Sequence, residues 1–308
     1  MKNLYVEGFK VPRQIQKLRD AWFESDTKRD SGLSEPADIF AWRDISYGQY
    51  GNYNLLDVYK PENRHMEKMP VIVNIHGGGY FYGSKEIYKY YCMNLAQDGF
   101  AVVNFNYRLS PEFHFPAALE DINRVMHFVE ANAIQYGLDV ENVFLIGDSA
   151  GAQLVSHYAA IFTNNDYAAL YSLTLPEKIK IKGLSMACGM YNLKERISQK
   201  DRKSLFRFYL GKDKMNEAAS MSETFDVLGH ITKDFPPAYV FSSKDDSLRE
   251  ACMPMYDFLI GRGCRAEADI YGLDCDFPSY HIFHVDLNHP LSNMANRKQA
   301  DFMRGYIS

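Results

Sequence analysis

The sequence predicts an α/β protein in which a mostly parallel sheet is flanked by helices. Apolar segments of strand length alternate with helical segments along most of the 308-residue chain, and such alternation is typical of βαβ units. Several strand segments end in glycines or polar residues, and in α/β folds the reactive groups gather beyond these carboxyl ends. With 46% hydrophobic residues, the chain can bury a sizeable core, and a single domain of this length is common for the class.

The elements follow one another from the N-terminus. Residues 14–23 place Ile15, Leu18, Trp22 and Phe23 on one helical face, which predicts an amphipathic helix docked on the rest of the protein. Residues 27–37 are polar and predict a linker. The predicted strands are DISYG, NLLDVYKP, MPVIVNI, FAVVNFNYR, ENVFLIGD, KIKIKGLSMA, PPAYVFSS and CRAEADIY. The helices predicted after them are KEIYKYYCMNLAQ, PAALEDINRVMHFVEANAIQYG, AQLVSHYAAIF and ACMPMYDFLIGRG.

Residues 191–235 interrupt this rhythm. They are charged and partly helical, as in NLKERISQKDRKSLFRFYLGKD. No internal repeat accompanies them, so we interpret the segment as an insertion above the sheet rather than as a separate domain.

The composition limits which binding partners and which cellular location are expected for the protein. The net charge is −5 and no basic run suits a phosphate backbone, which argues against nucleic acid. No apolar run approaches the length of a membrane span, and the N-terminus lacks the apolar segment of a signal peptide, so a cytoplasmic protein without a membrane partner is expected. The five cysteines are scattered, without metal-ligand spacing, and reduced thiols are expected.

The stretch VFLIGDSAG is the first candidate for chemistry. Ser149 follows a buried strand between small residues and two glycines, as in a G-x-S-x-G nucleophile turn. The alternative is an ordinary tight turn, because the pattern arises by chance in about one chain of this length in ten at typical glycine and serine frequencies. A serine hydroxyl needs a base within hydrogen-bond reach to act as a nucleophile.

A second candidate is the triple glycine Gly77–Gly79 after the strand VIVNI. Consecutive glycines let the backbone turn sharply and point bare N–H groups into a cleft, where they can hold a developing oxyanion. A phosphate cradle is the alternative, but G-x-x-x-x-G-K-[ST] is absent. Tyr80 and Tyr82 follow the glycines and are predicted to face the cleft or its wall.

The acid and the base are sought after the later strands. Asp245 and Asp246 follow the strand AYVFSS, and one of them could orient a histidine, while the other is a loop charge or a helix cap. The chain order Ser, Asp, His restricts the base to His281, His284 or His289, two of which must be structural.

These motifs together resemble the hormone-sensitive-lipase-like esterases of the α/β-hydrolase fold. The resemblance is carried by IHGGGYFYGS, NYRLSPEFHFPAALED, IGDSAG and DSLR, in family order over roughly residues 45–305. It implies an eight-stranded sheet with a helical cap. The cap would comprise residues 1–45 and the insertion at about 191–235, on a hydrolase core of residues 46–308.

The resemblance also implies roles for single residues. Ser149 matches the nucleophile, and Gly78, Gly79 and Ala150 match the oxyanion donors. Asp246, in D-S-L, matches the family acid better than Asp245 does.

His281 opens H-I-F, where the family base opens H-G-F, and so matches better than His284. Ile282 replaces the glycine of that motif, and the loop from Tyr271 to His281 is longer than usual, so His284 stays an alternative base.

The function implied is hydrolysis of short-chain carboxylic esters through an acyl-enzyme, with a small-molecule ester as partner and no metal or organic cofactor. An amidase or aryl formamidase with the same triad is the alternative, and a non-catalytic small-molecule receptor on this fold is a further one. An exposed edge strand would allow a homodimer.

Overall fold

Eight strands of the described residues form one sheet in this computed structural model, which describes residues 9–198, 203–211 and 223–308. The strands are β1 (Ile39–Ser46), β2 (Leu55–Pro61), β3 (Met69–Ile75), β4 (Ala101–Phe105), β5 (Leu138–Asp148), β6 (Ile181–Ala187), β7 (Ala238–Ser243) and β8 (Ala266–Tyr271). Their order is β1-β2-β4-β3-β5-β6-β7-β8. β2 is antiparallel to both β1 and β4, and the other neighbouring pairs are parallel. The predicted mostly parallel α/β sheet is confirmed.

Helices cover both faces of the sheet. They are α1 (Arg13–Arg29), α2 (Lys85–Gln97), α3 (Ala117–Ala131), α4 (Ala133–Tyr136), α5 (Ala150–Thr163), α6 (Asn165–Ala169), α7 (Leu193–Ser198), α8 (Lys203–Leu210), α9 (Val227–His230), α10 (Cys252–Gly261) and α11 (Ser292–Arg304). Among the described residues, no helix combines the length and the apolar character needed to cross a bilayer.

The central strands are buried on both sides, so their residues alternate between two cores. Val71 and Val73 of β3 pack into the core under α3, α5 and α10. Ile72, between them, packs into the core under α2 and α11. Continuous apolar runs such as VIVNI therefore predicted these strands correctly.

The N-terminal region differs in detail from its prediction. α1 continues through residues 27–29, which were assigned to the linker, because Arg29 is held by Asp26 and by the carbonyl of Ile87. Phe23 is 44% exposed, although it was placed on the docking face. Arg19 is buried on that face instead.

The predicted N-terminal cap segment and the predicted insertion can also be located in the structure. β1 begins at Ile39, so residues 39–45 of the predicted N-terminal cap segment lie in the sheet. Helices α7, α8 and α9 occupy the described parts of the predicted insertion, and residues 199–202 and 212–222 lie outside the described residues. The sequence analysis did not predict α11, because SNMANRKQADFMR carries only a narrow apolar stripe.

The turn after β5 packs backbone to backbone against the end of β3. A Cβ atom placed on Gly151 would lie 2.0 Å from the carbonyl oxygen of Ile75, and one on Gly147 would lie 2.6 Å from the carbonyl carbon of Gly151. Only residues without side chains permit this approach. The segments that follow β3 and β5 are therefore brought together at one edge of the sheet.

We predict that Gly151→Ala lowers the free energy of unfolding by at least about 3 kcal/mol, because the new methyl group must displace backbone rather than a flexible side chain. Gly261→Ala is the matched control. It adds a methyl group to a helix where nothing lies within 4 Å, and we expect a gain of about 0.5–1 kcal/mol. Urea unfolding of both variants measures the effects, and equal stabilities would contradict the packing argument.

Candidate active site

Ser149 occupies a strained turn between β5 and α5. Its φ and ψ are 53° and −116°, a conformation that non-glycine residues rarely adopt and that typically costs about 1–3 kcal/mol. The Ser149 N–H donates to the carbonyl of Ala187 at 2.9 Å, which holds the turn against β6. Ser149 lines a cavity of about 810 Å³ at the carboxyl ends of the strands. The fold thus places this hydroxyl-bearing residue at the edge of a cleft.

The glycine loop after β3 reaches the same cavity. Gly78 and Gly79 have φ values of 108° and 60°, and both line the cavity together with Ala150. Within the described ranges, the backbone N–H groups of these three residues donate to no protein acceptor. Three such donors on residues that line one cavity can form a site for an oxygen that carries negative charge.

Asp246 and His281 form a hydrogen-bonded pair at the opposite wall. His281 Nδ1 lies 2.7 Å from Asp246 Oδ1. The carboxylate also accepts hydrogen bonds from the Ser242 hydroxyl at 2.6 Å and from the Leu248 N–H at 2.9 Å. The His281 side chain is 36% exposed and lines the cavity.

These contacts set the charge of the pair. Burial alone would raise the pKa of Asp246, but the hydrogen bonds from His281, Ser242 and Leu248 outweigh it and lower the pKa to about 2. Asp246 is therefore ionised at neutral pH and accepts the Nδ1 proton of His281. In the neutral form of the ring, this hydrogen bond leaves Nε2 as the nitrogen without a proton.

The competing candidates have other partners. Asp245 accepts the Ser279 N–H at 2.8 Å and so holds the loop before His281. His289 bonds the carbonyl of Pro278 and the N–H of Leu291. His284 is buried among aromatic rings, and burial lowers its pKa to about 3, so its ring is neutral and enclosed.

Ile282, which departs from the resembled motif, also has an unusual backbone. Its φ is 54°, a left-handed conformation that is strained for a β-branched residue. Its side chain lines the cavity next to His281. The substitution therefore adds a bulky wall beside the imidazole while His281 keeps its contact with Asp246.

Tyr80 and Tyr82 both line the cavity, but their hydroxyl groups have protein partners. Tyr80 donates to Gln153 at 3.0 Å, and Tyr82 donates to Asp26 at 2.5 Å. Tyr80 also stacks on Tyr209 of α8, with centroids 3.9 Å apart. The two residues thus present ring surface to the cavity and connect it to the flanking helices.

Helix α1 supplies cavity residues that the sequence analysis missed. Leu18 and Trp22 lie near the middle of the helix, and Ser25, Lys28 and Arg29 lie towards its C-terminal end. The amphipathic pattern predicted docking of this helix, but nothing local indicated that its docked face borders a cleft.

Cys188 is a second missed residue. Its thiol is buried beside Asp246, and the Cys188 sulfur, a carboxylate oxygen of Asp246 and a ring nitrogen of His281 lie within 4.8 Å of one another. Burial, with the neighbouring carboxylate, raises the pKa of the thiol well above its usual range. Cys188 is therefore an inert, protonated thiol packed against the Asp246–His281 pair.

Asp148, which precedes Ser149, is a third feature of the site that the sequence did not indicate. It is buried, accepts a hydrogen bond from the Tyr88 hydroxyl at 2.9 Å, and lines the cavity. Burial raises its pKa to about 6, although the hydrogen bonds from Tyr88 and the Gly77 N–H oppose that shift. The only local signal for Asp148 was its position inside the G-D-S-A-G motif.

Known proteins resemble this chain in sequence. The BD-FAE family model matches residues 56–253, more than half of the chain. The probable carboxylic ester hydrolase LipM of Mycobacterium tuberculosis is 30% identical over 212 residues, which cover 67% of this chain and 48% of that protein. Esterase LipQ of the same organism is 24% identical over 208 residues, covering 67% of this chain and 49% of LipQ. The chain therefore spans about half the length of these curated relatives.

A solved structure extends the likeness over nearly the whole fold. Esterase B from Lactobacillus rhamnosis superimposes with a TM-score of 0.83 at 22% identity, over 95% of this chain and 94% of that one. At this identity the likeness shows the fold alone.

We predict that Asp148 makes stability fall as pH rises. Its folded pKa of about 6 lies above the ordinary value of 3.8, so the folded state holds the extra proton between these pH values, and the stabilisation is lost as pH rises through 6. Relative to Asp148→Asn, the wild type should lose up to about 3 kcal/mol of unfolding free energy between pH 4 and pH 7.

Urea unfolding at several pH values measures this difference, and parallel profiles would contradict it. Asp139→Asn is the control of opposite sign. Burial would raise the pKa of Asp139, but hydrogen bonds from Lys68 and Asn142 outweigh it and lower the pKa, so the stability that this carboxylate provides is lost in acid instead.

Proposed function

We propose that this chain, which belongs to the BD-FAE family within the hormone-sensitive-lipase-like carboxylesterases of the α/β-hydrolase fold, is an esterase for short-chain substrates. It hydrolyses short-chain carboxylic esters through a serine-bound acyl intermediate. The observation that carries the proposal is a convergence in one cavity. His281, which is hydrogen-bonded to Asp246, lines it together with the strained Ser149. Gly78, Gly79 and Ala150 line it as well, and their backbone N–H groups donate to no protein acceptor in the part of the chain that the structure describes.

In the first half of the reaction, Ser149 Oγ attacks the ester carbonyl carbon while His281 Nε2 takes the hydroxyl proton. Asp246 keeps the Nδ1 proton in place and stabilises the imidazolium that forms. The carbonyl oxygen becomes an oxyanion between the N–H groups of Gly78, Gly79 and Ala150. His281 then returns its proton to the alkoxide leaving group, and the alcohol departs.

In the second half, water replaces the alcohol. His281 Nε2 takes a proton from the water as its oxygen attacks the acyl carbonyl, and the same three N–H groups hold the second oxyanion. Collapse of this intermediate breaks the bond to Ser149 Oγ, which regains its proton from His281 and releases the carboxylic acid.

The walls of the cavity support a limit on the size of the acyl group. Trp22 of α1 has a ring atom 3.4 Å from where a Cβ atom on Gly79 would lie, and Phe81 has one at 3.6 Å. Apolar side chains of Met190, Phe206 and Leu248 line the cavity as well. The space beside the oxyanion donors is thus narrow and apolar, which suits a small acyl chain.

We predict that the wild type hydrolyses p-nitrophenyl acetate and butyrate faster than octanoate, and that Ser149→Ala and His281→Ala each lower kcat by at least about 10³-fold. His284→Leu is the matched control, because it replaces an enclosed neutral imidazole with a side chain of similar volume and should keep kcat within about threefold.

A wild type inert towards all three esters would reject the esterase proposal. Assays of the matching anilide and of N-formylkynurenine then distinguish an amidase from a protein without turnover. An inactive His284→Leu variant together with an active His281→Ala variant would instead show that His281 is not the base.

We also predict that Trp22→Ala raises kcat/KM for octanoate relative to butyrate by at least about tenfold. The deleted indole opens room beside Gly79 for additional methylene groups, each worth about 0.8 kcal/mol when buried. Phe23→Ala, which alters the next, exposed position of α1, is the control and should leave the ratio unchanged. An unchanged ratio in Trp22→Ala would place the acyl chain elsewhere in the cavity.

A further inference from the structure

Arg19 is a buried cation on the docked face of α1 that the mechanism above does not use. It is 2% exposed. Its Nε donates to the carbonyl of Phe81 at 2.7 Å and its Nη2 to the carbonyl of Ser110 at 2.9 Å. Both terminal nitrogens bind the Glu112 carboxylate at 2.7 Å, and that side chain is fully buried. A guanidinium is the one side chain that can serve all these acceptors at once.

The contact with Phe81 reaches the oxyanion donors through two peptide units. The Phe81 carbonyl and the Tyr82 N–H belong to one planar peptide. That N–H donates to the Gly78 carbonyl at 3.0 Å, and the Phe81 N–H donates to the same carbonyl at 3.0 Å. The Gly78 carbonyl in turn shares a trans peptide plane with the Gly79 N–H, which points the opposite way, and Gly79 lines the cavity.

We propose that Arg19 positions the Gly79 N–H for binding the oxyanion, through a chain that runs from the Arg19 Nε–H to the Phe81–Tyr82 peptide and then to the Gly78–Gly79 peptide. This inference rests on the proposed function. Aligned hydrogen bonds in a buried chain polarise one another, so the last N–H of the chain is both fixed in direction and strengthened as a donor.

Arg19 acts through this geometry rather than through its net charge. Glu112 neutralises the guanidinium, so little field from the pair reaches the cavity. Two hydrogen-bond or ring contacts of α1 with the loop involve the side chain of Tyr82, namely those from the Trp22 ring and the Asp26 carboxylate. Arg19 is the residue of α1 that holds the backbone of the loop in these contacts.

The glycine φ values explain why an external tie is needed. Gly78 and Gly79 adopt left-handed conformations, and glycine restricts its own φ and ψ least of all residues. The direction of the Gly79 N–H must therefore be imposed by hydrogen bonds to neighbouring peptides. Arg19 anchors the far end of that chain to a helix.

The test separates positioning from stability. The double variant Arg19→Met/Glu112→Met removes both charges, so that neither is left buried without a partner. For p-nitrophenyl acetate we expect kcat to fall at least about tenfold, below the 10²–10³-fold cost of losing a whole oxyanion donor. KM should change less than about threefold, because the oxyanion exists in the transition state and not in the bound ester.

Two further variants complete the design. Arg19→Lys keeps a cation for Glu112 but lacks the fork that also reaches Phe81, and its kcat should fall similarly. Ile15→Ala removes a fully buried side chain of α1 that does not line the cavity. It should lower the melting temperature and keep kcat within about twofold.

A second reaction keeps the two proposals distinguishable. Phosphonylation of Ser149 by a p-nitrophenyl phosphonate also develops charge on an oxygen in the oxyanion site, and its rate should fall in the double variant as kcat does. A wild type that reacts with the phosphonate but hydrolyses no ester rejects the proposed function and still measures the role of Arg19. Wild-type rates in the double variant, or an equal loss in Ile15→Ala, overturn the positioning role, and a wild type inert in both reactions overturns both proposals.

Discussion

The backbone contact between the end of β3 and the first turn of α5 is the constraint on which the rest of the structure depends. Gly147 and Gly151 leave room for the carbonyl of Ile75 at distances that any side chain would close. The residue that follows β5 and the loop that follows β3 consequently share one cavity wall. Ser149 from one strand end and Gly78 and Gly79 from the other therefore line the same cavity. The strain stored at Ser149 is sustained by that packing and by its bond to β6.

A second layer of buried polar contacts completes the wall. Asp246 is held by three donors, which fixes both the charge of the carboxylate and the tautomer of His281. On the other side, Arg19 donates hydrogen bonds to three acceptors, the carbonyls of Phe81 and Ser110 and the Glu112 carboxylate. Oriented hydrogen bonds as well as apolar packing therefore hold α1 on the core. Such fully satisfied networks specify one arrangement, because displacing any member leaves a buried charge or dipole without a partner.

The sequence predicted the sheet well because continuous apolar runs encode strands buried on both faces, as VIVNI and VFLIGD do. Motif order likewise narrowed the candidate site to Ser149, one of two aspartates and one of three histidines.

The local sequence pattern was insufficient where the burial of a residue depends on partners that are distant in the chain. Phe23 fits the apolar spacing of α1, yet Arg19 takes the buried position because Glu112 lies across from it. Residues 27–29 were assigned to a linker because nothing near them in sequence indicates the contact between Arg29 and Ile87. The roles of Asp148 and Cys188 as neighbours of the site depend equally on the fold.

The separation of Arg19 from its partner also has a consequence for synthesis of the chain. Glu112 follows Arg19 by 93 residues, so at about 5–20 residues per second the ribosome completes the acceptor roughly 5–20 s after the donor. In that interval α1, a helix of 17 residues, lacks the core against which its amphipathic face packs, and such packing supplies most of the stability of a helix in a protein. Its docking must therefore wait for the strands and loops that provide its acceptors. Although α1 is made before these partners, it is therefore fixed in place after them, and the cavity is complete only once most of its other walls exist.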